Sequence, residues 1–105
     1  MLNEQALIYL GYDTVPDGQV LTSNISGILT LNISALGISD LSGIESFDSL
    51  RVLYCVNNGL TSINVTQNTA LTHLDVFSNN LISLDVSQNT LLQILQCESN
   101  QLTSL

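Results

Sequence analysis

Basic residues are almost missing from this chain: Arg51 stands alone against nine acids, for a formal net charge of −8 over 105 residues. DNA and RNA bind through Lys and Arg that neutralise phosphates, so nucleic acid is excluded as a partner, and an anionic membrane surface on the same grounds. No apolar run approaches the length of a membrane span, so membrane insertion is not expected. A secretory signal is also missing: the start, MLNEQALIYLGYD, has Glu4 where basic residues belong, and no cleavage-site pattern follows. A cytoplasmic chain and a mature chain that has lost its signal both fit. Charge is scarce altogether, at 10% of residues against 45% hydrophobic. That is material for a core rather than for a disordered tail, and the length suits one domain or a piece of one.

In place of charge the chain has a period. Residues 50–105, laid out at a spacing of 21, read LRVLYCVNNGLTSINVTQNTA, LTHLDVFSNNLISLDVSQNTL and a partial LQILQCESNQLTSL. Leucine or a close relative returns at Leu50/Leu71/Leu92, Leu53/Leu74/Leu95, Leu60/Leu81/Leu102 and Ile63/Leu84/Leu105. Asparagine returns at Asn58/Asn79/Asn100, and Cys55/Val76/Cys97 share a further apolar column. Such a period means a solenoid of stacked coils. Its units run over 28–49, 50–70, 71–91 and a partial 92–105. The first, ILTLNISALGISDLSGIESFDS, is 22 residues long. It is a divergent coil with Ile28, Leu31, Ile33, Ile38, Leu41 and Ile44 on register, Leu36 in the asparagine column and Phe47 filling an extra turn.

Each unit begins L-x-x-L-x-[CV]-x-x-N-x-L, an alternation that turns one side of a short strand to the core and the other to water. A bend follows, whose backbone groups leave the sheet ladder and need other partners. The amide of a buried Asn carries both donors and an acceptor, so Asn58, Asn79 and Asn100 can bond those groups from coil to coil. The second half of the unit is rich in Val, Ile, Thr and Ser, so extended or 3₁₀ segments are expected there rather than helices. Asn68-Thr69 and Asn89-Thr90 mark a second bend. Cys55 and Cys97 are 42 residues apart, two full coils. At about 4.8 Å per coil they lie roughly 9–10 Å from one another, beyond the ~7 Å that a disulfide spans. They read as reduced thiols packed as small apolar groups. Zinc is not expected either, because His73 has no partners at ligand spacing, and no other cofactor is indicated.

Ahead of the repeats, LNEQALIYL places Leu2, Ala6, Leu7 and Leu10 on one helical face, with Asn3 as N-cap and Gly11 as stop. A short helix there would cap the first coil, and residues 12–27 form a turn-rich loop around Pro16-Asp17-Gly18, making 1–27 an N-terminal cap. Asp13, Asp17 and Asn24 do not follow the spacing of a calcium loop. The last repeat stops at Leu105 with no polar cap after Leu92, Leu95 and Leu102. The pattern there predicts a fragment of a longer protein, or an end covered by another chain, self-association through the C-terminal coil included.

The repeat L-x-x-L-x-C-x-x-N-x-L-x-x-L-D-V-S-x-N resembles the leucine-rich-repeat family, in particular secreted bacterial surface proteins similar to the internalins. LGISDLSGIESFDSL (36–50) and the EQALIYLGYD cap stretch resemble the same group, and together the likeness covers residues 4 to 105. Leu36 in place of Asn is a departure. The resemblance implies an α/β solenoid, mostly β: a right-handed coil with a short parallel β-sheet on the concave face and an N-terminal helical cap. It also implies export to the cell surface and a role in adhesion or recognition, with no fixed ligand.

The register identifies the outward strand positions. They are Thr30, Asn32 and Ser34 in the first coil, then Val52, Tyr54 and Val56, then His73, Asp75 and Phe77, then Ile94, Gln96 and Glu98. Solvent-facing strand residues are ordinarily polar, yet Val52, Tyr54, Val56, Phe77 and Ile94 form one apolar and aromatic field, flanked by His73, Asp75, Gln96 and Glu98. Such a field marks an interaction site, with Tyr a favoured anchor, although β-branched and aromatic residues also stabilise strands by themselves. His73 and Asp75 lie two apart on one strand with no nucleophile beside them, so catalysis is not expected. The expected function is a non-catalytic module that binds a protein or glycan. The alternative is a structural capping or spacer piece of a longer repeat protein.

Overall fold

The computed structural model describes residues 27–103. The helix expected over 2–10, residues 12–26 of the turn-rich loop, and Leu105 lie outside the described residues. Within them the chain winds through four coils, each contributing one three-residue strand: β1 (Thr30–Asn32), β2 (Val52–Tyr54), β3 (His73–Asp75) and β4 (Ile94–Gln96). The strands form one parallel sheet in chain order. Leu31, Leu53, Leu74 and Leu95 pair in sequence, so the leucine column read from the period is the sheet register itself. No α-helix occurs among the described residues. The second halves of the coils are turns, with one 3₁₀ segment at Ile44–Ser46, as the Val-, Thr- and Ser-rich composition predicted.

Backbone pairing outlasts the assigned strands. At the foot of each strand a single carbonyl accepts two amides of the next coil: Leu29 O takes the N–H groups of Arg51 and Val52, Arg51 O those of Thr72 and His73, and Thr72 O those of Gln93 and Ile94. Past the strands, the N–H groups of Ile33, Cys55 and Val76 donate to Tyr54, Asp75 and Gln96 O at 2.8–2.9 Å. Ala35, Asn57 and Ser78 donate one step further on, to Val56, Phe77 and Glu98 O. There the chain leaves the sheet, and it does so through the left-handed region: Ala35, Asn57, Ser78 and Ser99 occupy one column at φ 56–60°. Three of the four are Asn or Ser, short polar residues; Ala35 has no side-chain polar group to compensate.

The bend that follows is held by the asparagine column. Asn79 Oδ1 accepts the N–H groups of Asn58 (3.0 Å) and Leu60 (3.1 Å), while Nδ2 donates to Cys55 O and Val76 O, both at 2.9 Å. Asn58 does the same for the first coil, accepting from Leu36 and Ile38 and donating to Ile33 O. Asn100 accepts from Leu81 and donates to Val76 and Cys97 O. Each amide thus ties its coil to the coil before, and Asn79 and Asn100 close their own bends as well, which satisfies backbone groups that burial would otherwise orphan. Leu36 breaks this column without disturbing it, because the groups of its bend are bonded by Asn58 from the next coil.

A second amide column runs through the far bend. Asn68 Nδ2 donates to Ile44 O and Phe47 O, and Asn89 Nδ2 to Val65 O and Asn68 O, and both residues are buried. This corrects the reading of Phe47 as filler for an extra turn. Phe47, Asn68 and Asn89 are one column, since each carbonyl accepts the N–H three residues on, from Leu50, Leu71 and Leu92. Phe47 ends that column with a fully buried ring.

The core lies behind the sheet. Leu31, Ile33, Leu50, Leu53, Cys55, Leu60, Val65, Leu71, Leu74, Val76 and Leu81 are all wholly buried. In the last coil Leu92, Leu95, Cys97 and Leu102 are partly buried. Cys55 and Cys97 are free thiols on either side of Val76 in their column.

Candidate binding face

All-parallel sheets are ordinarily covered on both faces. Here one face carries the core, and the other side chains stand in a grid of four coils by three rows. The row at the strand feet is Thr30, Val52, His73 and Ile94, the middle row Asn32, Tyr54, Asp75 and Gln96, the two being set by the pairing register. Beyond them come Ser34, Val56, Phe77 and Glu98.

The twelve positions are not equally open. Thr30, Asn32, Phe77, Ile94, Gln96 and Glu98 are exposed, whereas Ser34, Val52, Tyr54, Val56, His73 and Asp75 are half-buried. For Tyr54 and His73 the cause is mutual cover. The Tyr54 ring meets His73 edge-on, with centroids 5.1 Å apart and an interplanar angle of 65°. His73 Nε2 is buried and has no hydrogen-bond partner. Phe77 and Ile94 therefore stand highest in the field, 41% and 47% exposed.

Three polar side chains on this face are committed to the backbone. Asn32 Oδ1 accepts the Ser34 N–H, Ser34 Oγ accepts the Val56 N–H, and Asp75 Oδ1 accepts the Phe77 N–H at 3.1 Å. Asp75 thus shapes the strand exit. Together with burial, the larger effect, its charge pushes the Cys55 thiol up to about 12. His73 and Asp75 stand two apart on the same strand face.

Leu29 escaped the sequence reading. It is 47% exposed, at the edge of the first coil and one residue before β1. It stands in the column of Arg51, Thr72 and Gln93, whose polarity gave no hint of an apolar margin. Away from the sheet, a depression of about 370 Å³ opens between the first two coils, lined by Asp40, Ser42, Glu45, Ser62, Asn64 and Thr66 among others. Its polar groups are largely turned inward: Asp40 Oδ1 accepts the N–H and Oγ–H of Ser42, and Asn64 Oδ1 those of Thr66.

No protein-family model and no curated protein matches this chain. Among solved structures it is similar to InlJ from Listeria monocytogenes, whose functional domain is described as including a cysteine ladder. Identity is 36% over 82% of this chain, with a TM-score of 0.79, and the match spans 19% of the InlJ chain. Likeness at that identity joins the leucine register, the parallel four-strand sheet and the asparagine column: this chain has an internalin-like leucine-rich-repeat fold.

Proposed function

We propose that the chain is the repeat part of a secreted or cell-surface protein, and that its sheet face, the concave side of the coil, is a non-catalytic binding site for a protein or glycan. One observation carries the reading. Among the described residues no element packs on the outer face of the sheet, and on it stand Tyr54, Phe77, Val52, Val56 and Ile94, where solvent alone would favour polar residues. Large, stiff aromatic side chains give contact area at small entropic cost, and hot spots are drawn from them. His73, Asp75, Gln96 and Glu98 supply the polar margin that sets orientation.

The test is a paired substitution, Tyr54→Ala with Phe77→Ala, read against binders selected on the native chain from displayed peptides and from a glycan array. Binding is expected to disappear while stability falls by no more than about 1–2 kcal/mol, the loss of the half-buried Tyr54–His73 ring contact and of cross-strand contacts of exposed Phe77. Undiminished binding by the folded double variant refutes the assignment of the site.

A further inference from the structure

The charge around Phe77 narrows the class of partner. We propose that this face docks a protein that presents an arginine or lysine over the Phe77 ring, between the carboxylates of Asp75 and Glu98. The inference rests on the binding reading above and adds to it the chemistry of the occupant.

The register puts the three side chains together. Asp75 precedes Phe77 by two residues on one strand line, about 7 Å back on the same face. Glu98 is the counterpart of Phe77 on the neighbouring coil, about 5 Å to its side, since the backbone pairing runs on to Ser78 N–H and Glu98 O at 3.1 Å. The hydrogen bond from Phe77 N–H to Asp75 Oδ1 anchors that carboxylate at the Phe77 backbone. Phe77 is 41% exposed, so its face is open to a ligand. An exposed aromatic ring attracts a cation through its quadrupole, and two flanking carboxylates add to the same attraction.

No lysine or arginine stands among the outward strand positions. Arg51 is the only Lys or Arg against nine acids, and it stands on the second coil, two coils from Glu98. The apolar neighbour Val56, the counterpart of Phe77 on the second coil, is suited to the stem of a long basic side chain, which buries its methylenes and presents its charge at the end. A neutral glycan offers no charge to match these groups, and an anionic glycan is repelled by them and by the net charge of −8. A basic protein segment is complementary in both respects.

The experiment measures binding of the whole chain to synthetic peptides that carry Arg, Lys, citrulline, Gln or Glu at one central position between apolar residues, at low and at high NaCl. Arg and Lys peptides are expected to bind about tenfold tighter than the citrulline peptide, with the advantage shrinking as salt rises. Asp75→Asn and Glu98→Gln should each reduce that preference about threefold, and Asp75→Asn retains an oxygen for the Phe77 N–H. Binding that depends on Tyr54 and Phe77 but is equal for Arg and citrulline overturns the cation subsite and leaves the binding face intact. So does binding of a neutral glycan that depends on the same two residues. Failure of every peptide and glycan to distinguish the native chain from the Tyr54/Phe77 double variant overturns both.

Discussion

Asn79 is the residue whose removal tests the account of this fold most severely. In Asn79→Ala the amides of Asn58 and Leu60 lose their acceptor, and the carbonyls of Cys55 and Val76 lose a donor. These are four bonds of 3.1 Å or shorter around a residue only 6% exposed. At about 1 kcal/mol net per bond the substitution costs about 4 kcal/mol, since the orphaned groups face the core side of the bend and water cannot easily replace the amide. A domain of this length is expected to be stable by about 5–15 kcal/mol, so the variant keeps a small margin at best. Urea unfolding followed by far-ultraviolet circular dichroism reads the effect as a midpoint lowered by about 2 M, for a slope near 2 kcal/mol/M. Asn80→Ala is the control. That neighbour is exposed and uses only its backbone N–H, which donates to Leu60 O at 2.7 Å, so its change should lie within about 0.5 kcal/mol. A loss under about 1 kcal/mol for Asn79→Ala, or equal losses for the two variants, refutes the idea that this column holds the bends.

The thiols should behave unequally: under native conditions a thiol reagent is expected to modify half-buried Cys97 and to reach buried Cys55 only after unfolding, and equal rates would contradict the register. Because Cys55 is raised from 9.0 to about 12, its neutral form is favoured by the folded state; that stability is complete below about pH 9 and is lost as pH climbs toward 12, which should appear as a steeper alkaline decline than in Cys55→Val. Ala35 sits at φ 56°, so Ala35→Gly is expected to raise stability by about 0.5 kcal/mol, with the relief of left-handed strain partly offset by the freer unfolded chain. A fall in the urea midpoint of that variant would contradict the strain.

The inward residues were legible because a solenoid repeats its environment. Leu31, Leu53, Leu74 and Leu95 occur at the period, and the sheet pairs them as that period implies. Asn58, Asn79 and Asn100 were legible for a chemical reason, since an amide is the one side chain with donors and an acceptor suited to closing a bend. Asn68 and Asn89 were read only as turn markers, because Asn-Thr in a polar stretch has the same appearance whether the turn is solvated or stacked. Their burial, and the place of Phe47 at the head of their column, follow from coil-on-coil stacking that no single repeat displays. The outward positions were identified correctly as a set but not in their exposure. Half-burial of Tyr54 and His73 arises from their ring contact between coils, which depends on side-chain direction rather than on spacing.

The two halves of the coil divide stability from recognition unevenly, and the sheet face shows where the division fails. Tyr54, Phe77, Ile94, Gln96 and Glu98 hold no backbone group through their side chains, so exchange at those positions changes the surface at modest cost to the fold. Asp75 is different, for it serves the Phe77 amide and sits close enough to Cys55 to raise its thiol. Ser34 is different too, through its bond to the Val56 amide. The freedom to change specificity is therefore largest in the fourth coil, where three face residues are exposed and uncommitted, and smallest in the first. A cation subsite that combines Glu98 from the free set with Asp75 from the committed one has one carboxylate that can be exchanged readily and one whose geometry the fold itself maintains.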